Sequence, residues 1–466
     1  IGKQALYTAT TVGANTAVGY QALKLNAVAS NTAVGHTAGM NTTGTLNTYV
    51  GSAAGKGGSG AEVNNVGVGA NALLAITDGG YNVSIGSRSG EDLTTGDFNV
   101  FIGDYAGHAT VDGDKCIAIG HSALAANVTS DGDAAIAIGY EALLSLTSGS
   151  QNIAVGFEAM KAQTTGHSNV AVGYQSQLLA NNNAADGNVS VGNFTLDGFG
   201  DVAAHSLTAI GHAALSSALT ADASGSTAVG RNALNSLTSG QRNIAVGYYA
   251  LANCDDGDDI VAIGWEALEA DCGNNNTAVG SKSLKVCTGE GNTAFGQGTL
   301  TDLVEGNNNV AIGKAAMGGA MDITADASTG NVAIGKDAMG GAWVTAASNY
   351  NIAIGEQSLD ANLNGAGSNV AVGRRAATQL VTGDANIAIG PDALYSSTDV
   401  DKTVIIGADC GQGAMTDAAD GTVAVGFGAL NQNTAGGNNV AVGHKAMFEN
   451  TIGGNNTVVG FGAMDD

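Results

Sequence analysis

Three Asp-Gly-Asp triplets sit at one phase of this 466-residue chain: Asp112/Asp114, Asp131/Asp133 and Asp256/Asp258. The first two fall in consecutive units of a repeat, so four carboxylates can share one loop stack. Hard oxygen ligands at that density suit Ca²⁺. The same residues also make a solvated acidic turn, and the regular Gly-Gly-x-Gly-x-Asp-x pattern of a dedicated calcium repeat is absent. The loop Cys254-Asp255-Asp256-Gly257-Asp258-Asp259 is the next calcium candidate. Cys254, Cys272 and Cys287 fall at nearly one phase in three consecutive units, which puts neighbours within disulfide reach. Cys254–Cys272 pairing, Cys272–Cys287 pairing and reduced thiols are the alternatives. Cys116 and Cys410 read as isolated core substitutions, and no Cys/His set has metal-ligand spacing.

A second set of candidates is aromatic. Tyr140, Phe157 and Tyr174 follow one another in consecutive units, as do Tyr248 and Trp265. An exposed aromatic ladder can bind glycans or a partner protein, or it can pack between chains or loops. His36, His121, His212 and His444 occupy the same slot; on a threefold axis one could hold an ion, and otherwise each is an ordinary polar substitution. For catalysis there is no G-x-S-x-G, no H-E-x-x-H and no phosphate-binding G-x-x-x-x-G-K-[ST]. Carboxylate pairs lie on turns, without the apolar pocket that would separate their pKa values.

All these residues hang on one frame. The phrase N-T-A-V-G-Y-Q-A-L at Asn15–Leu23 is rewritten about every 17 residues from end to end. Its central glycine recurs in 27 copies, among them Gly2, Gly19, Gly156, Gly173, Gly247, Gly264, Gly313, Gly443 and Gly460. A short unbroken repeat specifies a solenoid. It also argues against an enzyme, whose cleft needs unique residues where this chain has copies.

With that glycine as position 0, position −1 is Val or Ile in every copy but one, the exception being Phe295. Position −2 is mostly Ala and position −3 is often Val, Ile or Thr. Side chains alternate across a strand, so −3 and −1 share a face. The reading is that this β-branched face is buried inside the coil and that Ala at −2 points to a close neighbour, such as another chain. The constant glycine implies a backbone angle or an approach that a Cβ would block. Positions +3 and +4, such as Ala142-Leu143 and Ala316-Met317, return apolar side chains to the core. Tyr140–Leu146 fits a short helical turn or a second strand. Turn signals follow at Thr147-Ser148-Gly149 and Thr164-Thr165-Gly166. Position −4 is Asn in 19 copies, which suits a hydrogen-bonded Asn ladder or a turn entering the strand. The largest insertions are Gly318–Thr329 and Gly340–Asn349.

Composition agrees. Glycine supplies 72 residues and proline one, Pro391, which excludes collagen. Phased Val, Ile and Ala argue against disorder. A net charge of −25, from 16 basic and 41 acidic residues, repels nucleic acid and anionic membranes. No apolar run approaches the ~20 residues of a membrane span. The chain opens inside one copy and closes just after another, as expected of an interior stretch of a longer protein.

The N-x-[AV]-[VI]-G phrase resembles the head repeats of trimeric autotransporter adhesins, the YadA-like head, and the repeat tracts of bacteriophage tail fibres. The resemblance covers the whole chain, although the adhesin heads use a shorter unit. It implies a left-handed parallel β-roll, three chains intertwined or packed about one axis, and an extracellular stalk or head that meets a host receptor or glycan. The expectation is therefore an all-β parallel β-solenoid of 27 short coils spanning 1–466 as one continuous array. At ~4.8 Å per coil it would be about 130 Å long. It would act as a tail fibre or surface appendage in attachment, with no cofactor beyond Ca²⁺ at the Asp triplets and no membrane-embedded segment. A monomeric calcium-stabilised extender is the second reading. A third, an ice-binding solenoid, needs a regular Thr-x-Thr array that this chain lacks.

Overall fold

A computed structural model describes residues 1–464 apart from 9–12, 26–27, 59, 180–184, 199–203, 220–222, 271, 320–326 and 344–345. Parts of both long insertions lie outside the described residues. The chain divides into two compact units, Ile1–Gln241 and Arg242–Asp466. The first stacks three-residue strands β1 (Thr16–Val18) to β13 (Thr227–Val229); the second stacks β14 (Ile244–Val246) to β26 (Thr457–Val459). Pairing is parallel and strictly in register: Val170, Ala171 and Val172 of β10 face Ile153, Ala154 and Val155 of β9. Each unit is an all-β parallel solenoid, and among the described residues helix is confined to two single 3-10 turns, Ser130–Gly132 and Asp417–Ala419.

The strand faces are the reverse of the expectation. Ala at −2 is the interior residue: Ala118, Ala137, Ala154 and Ala171 are fully buried. The β-branched residues at −3 and −1 point outward and stay partly exposed, 40% for Ile85 and 39% for Ile312. The reason is width. Each coil is thin, and the space inside the strand is already filled from the far side by Ala at +3, Leu or Met at +4 and a further apolar residue at +7. Ala142, Leu143 and Leu146 show this set, all fully buried. Only a methyl group fits opposite them.

The exceptions follow from the same limit. Phe101 occupies position −2, and the usual Leu at +4 is then glycine in its own coil (Gly107) and in the preceding one (Gly90). A Cβ on Gly107 would press on the Phe101 ring. Tyr49 is accommodated in the same way by Gly39, Gly55 and Gly67, and Ile405 by Gly411. Interior volume is held constant coil by coil, as close packing requires.

The stretch after position 0 is neither a helical turn nor a second strand. Positions +2 and +4 take positive φ, for example Glu141 at 52° and Leu143 at 49°. Such angles are costly for non-glycine residues. Here they turn successive amides toward opposite neighbours. Glu158 N–H donates to Tyr140 O of the preceding coil at 2.8 Å, and Leu143 N–H donates to Ala159 O of the following coil at 3.0 Å. Within each unit, interior coils are thus hydrogen-bonded to both neighbours outside the strand as well as within it.

Two side-chain ladders complete the frame. At −4 the Asn side chains are buried apart from Asn15 and Asn456 near the chain ends, and the amide oxygen accepts the N–H of the next coil, as Asn82 Oδ1 does from Asn99 at 2.9 Å. Its Nδ2 donates to a turn carbonyl of that coil, Gly96 O at 2.8 Å. The bonds run mostly from side chain to backbone, so the ladder and the turn are one device. Where Asn is replaced by Cys116, the thiol is buried and the backbone still donates to Asn99 Oδ1 at 2.8 Å.

Position 0 is a contact between backbones. Gly247 has φ 143°, and a Cβ there would overlap the Gly264 carbonyl oxygen. Gly19, Gly156, Gly173, Gly264, Gly313 and Gly443 stand the same way against their successors. Gly247→Val is expected to cost more than ~3 kcal/mol, read as a lower melting temperature by circular dichroism; unchanged melting would remove the steric requirement. Phe101→Ala is expected to cost about 3–5 kcal/mol. Adding Gly107→Leu should restore at least half of that loss, because Leu143 adopts a similar φ at the same position of its own coil. A double-mutant cycle that shows simple additivity would refute the volume compensation.

Candidate functional site

Every outward strand residue from β1 to β26 is Val, Ile or Thr, apart from Phe295. A chain with 57 charged residues (16 basic and 41 acidic) places none of them on this face. Strand amides and carbonyls are consumed by neighbouring coils, as in Val170 N–H to Asn188 O at 2.8 Å. Apart from Phe295, the face therefore offers only aliphatic and threonine side chains. Apolar surface gathered over so many adjacent coils makes this face a candidate contact site.

Beside it run the aromatic rows at +1. Tyr140 stacks on Phe157 with centroids 5.1 Å apart and planes 10° apart, and Phe157 on Tyr174 at 5.1 Å and 7°. The row extends through His121 on one side, 5.4 Å from Tyr140, and ends edge-on at Phe194 and His212 on the other. His36 stacks on Tyr20, and His444 lies between Phe427 and Phe461. These histidines are thus members of aromatic stacks and not isolated substitutions. In the second unit Trp265 carries the Lys282 ammonium 4.6 Å above its ring, while Tyr248 packs edge-on against Tyr249. All five predicted rings are more than 40% exposed. Inside the Tyr140–Tyr174 run, however, ring faces are covered by ring faces. Mainly edges and the Tyr hydroxyls remain for a ligand, which disfavours flat stacking of sugars.

The Asp triplets do not converge. Asp114 Oδ1 accepts the Asp97 N–H and Asp133 Oδ1 accepts the Asp114 N–H, each at 2.7 Å. Asp186, Asp384, Asp401 and Asp420 repeat this bond at the same phase. Asn274 takes the role for the Asp258 N–H at 2.7 Å. The acidic column at −6 is therefore a second backbone-capping ladder, legible in the recurrence of Asp and Asn at that phase. Asp131 lies in the 3-10 turn, and Asp112 and Asp256 are on the same loops. Among the described residues no three carboxylate, imidazole or thiol groups are gathered as a metal site. An open depression of about 690 Å³ beside Lys115, Asp131, Asp133 and His167 is held by the same bonds, with His167 Nδ1 accepting the Ser150 N–H at 3.1 Å. All five cysteines are buried; Cys254 and Cys287 fill the apolar +7 column, and Cys410 the +3 slot.

One buried ionisable group has no counterpart in the sequence reading. Glu62 is 1% exposed, next to the core ring of Tyr49. Burial pushes its carboxyl up to about 7, against the pull of its own backbone amide, those of Gly44 and Thr43, and the Thr42 hydroxyl. Burial also raises the Tyr49 phenol, and Glu62 raises it further. A single glutamate in a variable turn carries no periodic signal, so only packing reveals it.

Between pH ~4.5 and about 7 folded Glu62 keeps a proton that the unfolded chain has released. Its contribution to stability therefore falls as pH rises through that window. Relative to Glu62→Gln, the unaltered protein should lose melting temperature between pH ~5 and ~8; parallel pH profiles for the two would dismiss the assignment. Comparison with family models and with curated proteins finds no match to this chain.

Proposed function

We propose that this chain is a structural fibre or adhesin-type protein, assembled as a homotrimer, that contributes to attachment outside the cell or on a virion. The observation that carries the reading is the charge-free Val/Ile/Thr face. An acidic chain that keeps all charge off the outward sheet face of each unit has a surface suited to cover by another apolar surface. A second and third copy of the same chain present that surface in matching register. A stable association needs roughly 1,200–2,000 Å² in total, and a face repeated in every coil supplies it in small increments. The chain–chain contact then falls on the β-branched residues and not on Ala at −2. The number three, the extracellular setting and the attachment role rest on the resemblance to adhesin heads and tail-fibre repeats. The role is mechanical: in-register hydrogen bonds on every side of the coil resist extension and shear within each unit. Receptor contact falls to the aromatic edges and side loops.

Light scattering on the native chain is expected to return three times 45.6 kDa. The outward pair Ile153→Lys and Val172→Lys should lower the mass to 45.6 kDa while the coil's own melting transition is retained. A single 45.6 kDa species for the unaltered chain would overturn the assembly and, with it, the fibre reading.

A further inference from the structure

Three cysteines fall in consecutive coils of the second unit, and their sulfurs are not equivalent. Cys254 Sγ and Cys272 Sγ approach to 2.7 Å, inside the contact distance of two sulfurs. Cys254 Sγ also lies 3.5 Å from the Cys272 carbonyl oxygen, so thiol and partner backbone face each other across the coil boundary. Cys287 Sγ looks into its own coil, 3.4 Å from Asn292 Nδ2 and 3.7 Å from Gly289 O. Cys254 is fully buried and Cys272 is 4% exposed, so the pair is packed against its surroundings and aligned by them. The coils on either side are pinned by in-register strands, Val261 facing Thr277 and Ile244 facing Val261.

We propose that Cys254 and Cys272 are an oxidative cross-linking site that staples two consecutive coils. Both S–H bonds break and one S–S bond forms. The two protons and two electrons pass to a low-molecular-weight disulfide such as oxidised glutathione, which leaves as two thiols. The bond closes a loop of 18 residues, one turn of the solenoid. It restrains the unfolded chain and blocks separation of the two coils. This site is independent of the assembly proposed above, because both thiols belong to one chain.

The test uses the whole chain incubated with oxidised glutathione, alongside a sample refolded from urea in the same buffer so that burial does not limit access. Alkylation under denaturing conditions and peptide mapping follow. The expected result is that alkylated cysteines fall from five to three per chain, with Cys116, Cys287 and Cys410 modified. A Cys254–Cys272 linked peptide about 2 Da lighter than its two reduced parts should appear. The oxidised form should melt higher than the same sample after dithiothreitol. In Cys272→Ser, Cys254 should be alkylated rather than move to Cys287. Five alkylated cysteines in the refolded sample, a link that involves Cys287, or a disulfide-linked dimer would each overturn the proposal.

Discussion

The approach of one backbone to the next at position 0 governs this molecule. A carbonyl oxygen of each coil occupies the place where a side chain of the preceding coil would be, so glycine is the only residue that permits the stack. From that contact follow the strand register, the alignment of the Asn and Asp ladders and the alternating positive φ of the turn. In each unit stability is a sum of neighbour contacts, as expected of a repeat protein. The buried apolar residues form a column repeated coil by coil within each unit, so the loss of one coil's share is a local loss.

Much of this is legible in the chain. Solenoid architecture follows from the phrase at Asn15–Leu23 and its copies, and the glycine requirement follows from its constancy at Gly19 or Gly247. The facing of the strand does not follow. Alternation shows that −3 and −1 share a face, but the choice of inner face depends on how much space the opposite wall leaves. That wall is built from +3, +4 and +7 in a backbone form outside both strand and helix, as at Glu141 and Leu143. Apolar character alone therefore assigned the larger residues to the core. The corrective signal was present in Phe101 and Tyr49, whose size is matched by glycine at Gly107 and Gly55. Such compensation is demanded only of a position that faces inward.

The candidate site divides along the same line. The aromatic rows were visible from spacing, since Tyr140, Phe157 and Tyr174 share a phase. Whether rings offer faces or edges depends on their tilt, which spacing does not carry. Spacing shows the carboxylates of the Asp triplets, which suit a cation, but not the backbone amides around them. Stacking places a backbone N–H of the preceding coil at Asp114 and Asp133 first. Nothing in the spacing marks Glu62, because burial, not composition, makes it unusual.

The two ladders run in opposite senses. At −4 the acceptor belongs to the earlier coil and the amide to the later one; at −6 the acceptor belongs to the later coil. The two sides of a coil are consequently unlike but complementary, a socket on one and a plug on the other. Two coils cannot mate plug to plug, so the stacking direction is encoded locally, in each junction that carries the ladders, rather than by the chain as a whole. Where neighbouring junctions share this fitting, as along Asn276, Asn292, Asn309, Asn331, Asn351, Asn369 and Asn386, a whole coil can be gained or lost by gene duplication or deletion, and the flanking coils meet with their −4 donors and acceptors already matched.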